Sequence, residues 1–355
     1  MAVGLPLKTT YANGDVYSAS DVNDTNGTIN ITAAPYAAGK NKIINGDFEV
    51  WQRGTTFNGI VGGQYTADRW CGNFINGTIN VTRQTFTPGA APVAGYEGEY
   101  FMQLARTSTH ASIADYFSQR VEDVRTFAGQ TVTISFWAKV ASGTPTLGML
   151  VTQSFGSGGS GEVSTSTVDN TLSTSWTRYS ATIAVPSVSG KTIGAGSWMS
   201  PSFVIPVSAG NLTLQIWGVQ MESGSTATPF QTATGTIQGE LAACQRYYYR
   251  FTSDGDYDVA SMGNDAEATT QGTAHIKLPV TMRISPTTVD TGGTWFYSQY
   301  AGSAVTLTSL AYRNNTSKDV GVLVVQAASG LSTSVKYSLL SNNSTASFIG
   351  FSAEL

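Results

Sequence analysis

The chain has 355 residues, of which only 12% are charged, and its formal net charge is −4. About a quarter of the residues in an ordinary globular protein are charged, so the polar part of this surface must be rich in hydroxyl groups and poor in ions. No lysine and arginine cluster occurs, which argues against a nucleic-acid partner. No run of about 18 apolar residues occurs either, which argues against membrane insertion.

Residues 1–40 form the first predicted unit, an attachment segment that ends in a linker around Pro35. They contain few core-forming side chains, and they lack the basic and apolar regions of a signal peptide. Ser18 or Ser20 is placed to cap one short helix. A disordered leader is the alternative interpretation.

Residues 41–235 are predicted to form an all-β jelly roll, a sandwich of two sheets. Residues 131–140 place apolar side chains at every second position from Val132 to Ala138, and residues 211–221 do the same from Leu212 to Gly218. Glycine- and serine-rich loops separate these strands, and no useful helix is predicted among them. Four tryptophans on these strands are predicted to be core residues: Trp51, Trp70, Trp137 and Trp217.

Residues 236–251 are predicted to form one helix that links two domains. Five apolar or aromatic side chains recur at spacings of four, three, four and three, which is a heptad-like stripe. Either the helix packs on its own domain, or it forms a short trimeric coil along a fibre axis. In the second case the trimer contacts are Ile237, Leu241, Cys244, Tyr248 and Phe251.

Residues 252–355 are predicted to form a smaller, distal β domain, in which the apolar segment 320–326 is a central strand. Several aromatic residues in this domain occur in polar, turn-bounded segments. Aromatic rings bind the apolar faces of sugars, so these residues are the predicted receptor- or glycan-binding site: Trp295, Tyr297, Tyr300, Tyr312 and Arg313.

Catalytic signals are weak. The two histidines occur outside any hydrolase or metal motif, so no catalytic residue, metal or cofactor is predicted. Carboxylate pairs for glycan cleavage could come from Asp115, Glu122 and Asp123, or from residues 254–258, although solvated loop residues are the simpler interpretation. The two cysteines, Cys71 and Cys244, are predicted to be buried thiols, with a disulfide as the alternative.

The segment NKIINGDFEVWQRGTTFNGIVGGQYTADRW (41–70), followed by segments 131–140, 214–231 and 240–250, resembles the carbohydrate-binding-module-like jelly roll of tailed-bacteriophage fibre and tail proteins. The resemblance implies a homotrimeric virion protein that binds a host-surface glycan and is not an enzyme. It would be made in the bacterial cytoplasm and carried on the tail, collar or head.

Residues 12–24, ANGDVYSASDVND, resemble the segments by which phage fibres dock onto other virion proteins. The docking residues that this implies are Gly14, Asp15, Val16, Ser20, Asp21, Val22 and Asn23.

The resemblance also implies a structural calcium between the turn at Asp47 and Glu49 and the last jelly-roll strand. That strand has Gln220 where an aspartate is expected, which argues against the ion. Two other functions stay open beside receptor binding: a decoration or collar fibre without a receptor, and a capsule-degrading enzyme.

Overall fold

The computed structural model describes residues 39–60, 62–73, 78–93, 96–109, 114–299 and 304–355. The predicted docking residues between Gly14 and Asn23, and also Tyr300, lie outside the described residues. The described chain is all-β, as predicted, with one α-helix and one 3₁₀ turn at Val207–Ala209. No helix among these residues has both the length and the apolar character of a membrane span.

Fourteen strands form the jelly roll. In chain order they are β1 Thr56–Phe57, β2 Gln64–Tyr65, β3 Trp70–Asn73, β4 Thr78–Thr85, β5 Tyr100–Ser108, β6 Asp115–Gln119, β7 Val121–Glu122, β8 Thr131–Val140, β9 Thr146–Ser154, β10 Val163–Ser164, β11 Val168–Thr171, β12 Thr177–Ala184, β13 Trp198–Ile205 and β14 Leu212–Ser223. One sheet has the order β1-β4-β5-β14-β8-β12. The other has the order β10-β9-β13-β6-β3-β2, with β11 paired to β9 and β7 paired to β13.

The two sheets bury their facing sides in one hydrophobic core, to which β8 contributes Ile134 and Phe136. In β14 the inward row changes phase, which the alternation pattern did not predict. Ile216 points into the core, a bulge follows between Trp217 and Gln220, and Val219 then points inward. Gly218, predicted to continue the row, instead lies in the bulge with a φ of +64°. Such a φ is easy only for glycine.

The outer side of the six-stranded sheet is covered as well. A second aromatic cluster there explains why nearly every residue of β8 is buried. The predicted core role is confirmed for all four jelly-roll tryptophans: Trp51 and Trp70 join the main core, and Trp137 and Trp217 join this second cluster. Its buried members are Phe86, Phe101, Trp137, Trp217 and Phe230.

The 41–70 motif folds as two interlocked turns. Asn45 adopts a left-handed conformation with a φ of 56°, and its side-chain amide donates to the carbonyl oxygens of Val50, at 2.8 Å, and Asp68, at 3.1 Å. In return, the indole nitrogen of Trp70 donates to the carbonyl oxygen of Asn45 at 3.0 Å. These bonds satisfy buried backbone groups that no strand partner reaches.

The predicted helix is shorter than expected. Helix α1 spans Ile237–Gln245, and Thr236 caps it by accepting a hydrogen bond from the backbone N–H of Gly239 at 3.1 Å. Tyr248–Thr252 forms strand β15 instead. Aromatic-rich segments favour strands, and here a neighbouring strand supplies the backbone partners, which overrides the helical spacing.

The predicted stripe therefore does not form one exposed face. Ile237 and Leu241 are 52% and 38% exposed, whereas Cys244 and Tyr248 are buried inside their own chain. Phe251 packs against the core of the C-terminal domain. The helix instead packs on its own chain, which was the first of the two alternatives. Its buried Glu240 accepts a hydrogen bond from the Asn45 backbone at 2.7 Å.

Eight further strands follow β15: β16 Val259–Ala266, β17 Gln271–Lys277, β18 Thr288–Gly292, β19 Trp295–Ser298, β20 Ala304–Tyr312, β21 Val320–Ala327, β22 Lys336–Ser341 and β23 Phe348–Ser352. A closed barrel has the order β16-β17-β21-β20-β19-β22, and a three-stranded sheet has the order β15-β23-β18. The prediction of a central strand at β21 is confirmed, because β17 and β20 pair with its two edges.

Arginines join the jelly roll to the C-terminal domain. Arg69 is fully buried, forms an ion pair with Glu354, donates to the carbonyl oxygen of Arg120 at 2.5 Å and stacks 3.4 Å over the ring of Tyr247. Arg53 binds the other oxygen of Glu354 at 3.2 Å. Burial lowers the pKa of the Arg69 guanidinium. A buried cation persists only when such partners replace its water.

Gly218→Ala tests the bulge. The added carbon would lie 2.8 Å from the Trp137 ring in a left-handed backbone, so we expect the free energy of unfolding in urea to fall by roughly 2–4 kcal/mol. Gly190→Ala is the matched control, because Gly190 has a φ of +73° and no atom within 4 Å of the added carbon. It should lose only the conformational part, about 1–2 kcal/mol. Equal losses would contradict the packing explanation.

Candidate functional site

The predicted site in the distal domain is mostly buried. Trp295 is 4% exposed, and its indole nitrogen donates to the carbonyl oxygen of Gly292 at 3.0 Å. Tyr297 is fully buried and stacks on Tyr337 inside the barrel, with ring centroids 5.1 Å apart. The prediction that these two rings form a contact surface is therefore wrong. Both belong to β19, whose neighbours close around it.

Tyr312 and Arg313 do lie at the surface, where they line a shallow cleft with Asn314 and Asn315. The Arg313 guanidinium is already engaged, because it forms an ion pair with Glu267. Hydrogen bonds from Thr273 and Arg313 lower the pKa of Glu267 to about 2. The structure thus separates this pair from Trp295 and Tyr297 and brings together only part of the predicted site.

The carboxylates considered for glycan cleavage form local bonds. Asp115 bonds to buried Arg106 at 3.1 Å, and Glu122 bonds to Arg246 at 3.0 Å. In the 254–258 loop, the Asp258 carboxylate accepts backbone hydrogen bonds from Asp254 and Gly255, each at 2.7 Å. These bonds give Asp115, Glu122 and Asp258 structural roles.

An acidic cleft surrounds the turn that the resemblance associates with calcium. Asp47 and Glu49 line it together with Glu97 and Glu99, but Gln220 is not among its lining residues. The Gln220 side chain instead bonds to Glu222 and to the 228–231 segment. The described residues contain no group of three or more histidine, cysteine or acidic side chains arranged to hold a metal. Gln220 therefore does not take the place of the last-strand ligand that the resemblance implies.

The eight-stranded sheet carries a different cleft on its outer side, with a volume of about 450 Å³. Strands β3, β6, β13 and β9 form its floor, and the β9–β10 hairpin forms one wall. Its lining residues are Gly63, Cys71, Asn73, Tyr116, Ser118, Arg120, Leu150, Thr152, Glu162, Ser164, Trp198, Ser200 and Ser202.

Small side chains form the middle of this floor. Cys71, Ser118 and Ser202 are direct cross-strand partners in one row, so they project from the same side of the sheet. Ser200 and Thr152 form the next row. A hydroxyl group both donates and accepts hydrogen bonds. Small side chains also leave space above the sheet for a ligand. The floor is therefore a trough lined with hydroxyl groups, in which Cys71, Ser200 and Ser202 are buried.

Aromatic rings stand at the two ends of the trough. Tyr116 lies one row beyond Ser118, and Trp198 lies one row beyond Ser200 on the other side. Tyr116 pairs with Val204 of β13, which is six residues from Trp198 along that strand. The two rings are therefore roughly 20 Å apart along the strand direction. Both rings are half-buried. The Arg120 guanidinium lies over Trp198, with 4.7 Å from its central carbon to the ring centroid.

The trough is close to neutral in charge. Arg120 and Glu162 are its only charged lining residues among those described. Burial raises the pKa of the Cys71 thiol, so this group stays protonated at neutral pH. Both cysteines are free and buried, which confirms the sequence-based interpretation.

Sequence reasoning missed these residues, although a signal was present. At alternate positions, segment 198–203, WMSPSF, has Trp198, Ser200 and Ser202, and segment 115–120, DYFSQR, has Tyr116, Ser118 and Arg120. Two strands with hydroxyl and aromatic side chains on their open side are typical of a ligand platform. That the two strands are neighbours is a tertiary fact that the pattern does not contain.

Comparisons with solved structures give weak similarities. A family 11 carbohydrate-binding module from Clostridium thermocellum, in complex with a β-1,3-1,4-mixed-linked tetrasaccharide, is 12% identical, and the match covers 49% of this chain and 98% of that chain with a TM-score of 0.30. A CBM4 structure is 14% identical over 51% and 98% of the two chains, with a TM-score of 0.30.

A cyclase from Fischerella sp. TAU, in complex with 4-(1H-indol-3-yl)butan-2-one, is 13% identical over 52% and 98% of the chains, with a TM-score of 0.35. No protein-family model and no curated protein matches this chain. At TM-scores this low, the similarities carry no argument, and the fold assignment rests on the strand order itself.

The acidic cleft predicts a pH dependence. Burial, together with nearby Glu240 and Glu49, raises the pKa of Asp47 to about 7. The folded state therefore holds this proton more tightly than the unfolded chain does. The resulting stabilisation is complete below about pH 4 and is lost as the pH rises through 7. The free energy of unfolding should fall between pH 4 and pH 8 in the unmodified protein. In Asp47→Asn we expect this fall to be smaller by a few kcal/mol.

Urea titrations at each pH give this measurement. Buried Asp68, with a pKa raised to about 6, contributes a slope of the same sign that remains in the variant. Exposed Glu97, in the same cleft, provides the control variant Glu97→Gln. An unchanged pH profile in Asp47→Asn would contradict the assignment.

Proposed function

We propose that this protein binds a neutral oligosaccharide in the trough on the outer side of the eight-stranded sheet. The observation that carries the proposal is the hydroxyl-lined floor between the half-buried rings of Tyr116 and Trp198. A sugar has apolar ring faces and a rim of hydroxyls. It matches a site in which aromatic rings stand beside groups that both donate and accept hydrogen bonds.

The charge of the trough favours a neutral sugar. A polyanion would need an excess of cations, and Arg120 is balanced by Glu162. The Arg120 guanidinium remains useful because its other N–H groups can donate to sugar hydroxyls.

Binding without catalysis is part of the proposal. Glycoside hydrolysis generally needs two carboxyl groups on either side of the scissile bond. Glu162 is the single carboxylate among the described residues that line the trough. The carboxylates at Asp115 and Glu122 are bonded to arginines.

At the level of the whole protein, we propose a bacteriophage fibre or spike that attaches the virion to a host-surface glycan. The proposal rests on the resemblance of segments 41–70, 131–140, 214–231 and 240–250 to phage fibre proteins. In it, residues 1–40 bind other virion proteins and three copies assemble. Several weak troughs would then give strong attachment through multivalency. A decoration fibre without a receptor is the alternative.

Trp198→Ala tests the site. In calorimetric titrations we screen neutral tetrasaccharides, including β-1,4-linked glucose, β-1,4-linked galactose and β-1,3-1,4-mixed-linked glucose. We expect the variant to bind the best of them at least tenfold more weakly, because about 1.4 kcal/mol or more of ring contact is lost. Tyr116→Ala should have an effect of the same sign.

Trp176→Ala is the matched control, because Trp176 is also half-buried but packs on the second aromatic cluster, away from the trough. It should bind as the unmodified protein does. Binding by Trp198→Ala at full strength would refute the site. Release of new reducing ends from any tetrasaccharide would refute the non-catalytic assignment.

Removal of residues 1–38 tests attachment to the virion. The ion pair of Lys40 with Glu222, at 3.2 Å, stays in place, so we expect a folded protein with unchanged sugar affinity that is absent from purified particles. Quantitative mass spectrometry of the particles measures incorporation. Normal copy number of the shortened protein would overturn the docking role of this segment.

A further inference from the structure

Arg120 belongs to the trough and to the domain interface at the same time. Its guanidinium lies over the Trp198 ring inside the trough. One of its terminal nitrogens donates to the backbone oxygen of Leu355, which follows the last strand of the C-terminal domain. The orientation of a residue that lines the trough therefore depends on a group from outside the jelly roll.

The segment 353–355 is fixed from both sides. On the jelly-roll side, the Tyr65 hydroxyl donates to the Leu355 oxygen at 3.1 Å. On the side of its own domain, Arg283 donates to the carbonyl oxygens of Ala353, at 2.8 Å, and Glu354, at 2.7 Å. The segment is thus a rigid bridge between β23 and the edge of the trough.

Arg69 adds a second connection to the same place. It binds the Glu354 carboxylate with one nitrogen and the Arg120 carbonyl oxygen with another. A shift of Glu354 would therefore move both the backbone and the side-chain partner of Arg120. Both Arg69 and the Glu354 side chain are more than nine-tenths buried, so water does not screen this connection.

We propose that docking of the C-terminal domain positions Arg120 against Trp198, so that domain docking and oligosaccharide binding are coupled. The inference rests on the proposed sugar site. A free arginine side chain samples many rotamers and therefore carries considerable rotamer entropy. A side chain that is already held in its binding conformation does not lose that entropy when the sugar arrives. Glu354 and Leu355 are positioning residues and do not touch the sugar.

Thermodynamic linkage makes the coupling reciprocal. If docking strengthens sugar binding by some factor, then sugar binding strengthens docking by the same factor. The bound sugar should therefore protect the interface from opening. The backbone N–H of Arg250, which donates to the side-chain oxygen of Gln52 in the jelly roll at 3.3 Å, reports such opening.

Hydrogen exchange on the full chain gives the first test. The probe is the tetrasaccharide that binds best in the screen above. We expect saturation to slow exchange at Arg250, as well as in the trough. Protection confined to the trough, with unchanged exchange at Arg250, would overturn the coupling.

Calorimetry gives the second test. Glu354→Gln should bind the same tetrasaccharide about fivefold or more weakly, at the lower end of typical coupling energies. Glu267→Gln is the matched control, because it removes an arginine ion pair remote from the interface. Arg283→Ala, which releases the segment but keeps the pair of Arg69 with Glu354, should also weaken binding if Glu354→Gln does not fold.

The outcomes separate the two proposals. If the unmodified protein binds no sugar, or if Trp198→Ala binds normally, the sugar site itself is wrong. If the unmodified protein binds and Trp198→Ala does not, but Glu354→Gln and Arg283→Ala bind at full strength, only the coupling is wrong.

Discussion

The buried guanidinium of Arg69 is the interaction on which the arrangement of the two domains depends. It enters the interface from a turn in which Arg69 itself has a φ of 73°, a conformation that few residues other than glycine adopt. A desolvated cation needs a carboxylate and further partners. Glu354, the Arg120 carbonyl oxygen and the Tyr247 ring provide them, and they come from both domains. The domains are therefore held together by polar contacts with strict geometry.

The two outer sides of the sandwich differ in what covers them, and this difference places the candidate site. Aromatic side chains and two loops cover the six-stranded sheet, with Trp217 fully buried beneath them. The eight-stranded sheet has a cleft on its outer side, with buried serines in the centre of the floor and Trp198 at one end. A concave, open side with few charges is suited to a ligand that offers both apolar faces and hydroxyls. The aromatic residues that mark the fold are thus different from those that mark the site.

The misplaced distal site illustrates a limit of period-two patterns. Alternation shows that Trp295 and Tyr297 project from one side of β19, but it does not show which side faces the inside of a closed barrel. The same limit applied to segment 240–250, whose spacing fits both a helix and a helix followed by a strand. In that segment residues 248–252 form a strand because β23 pairs with all five residues of β15.

Low charge, many glycines and alternating apolar residues were sufficient to predict an all-β chain, a sandwich, and the central strand at β21, because these properties are local and repeat along the chain. Segment 41–70, which contains Asn45 and Trp70, was also recognisable in the sequence. Only the tertiary structure placed Tyr116 and Trp198 at opposite ends of one trough and brought Leu355 to Arg120. Both arrangements join residues that are far apart in the chain. Such residues are brought together by strand order and domain docking, which local sequence patterns do not encode.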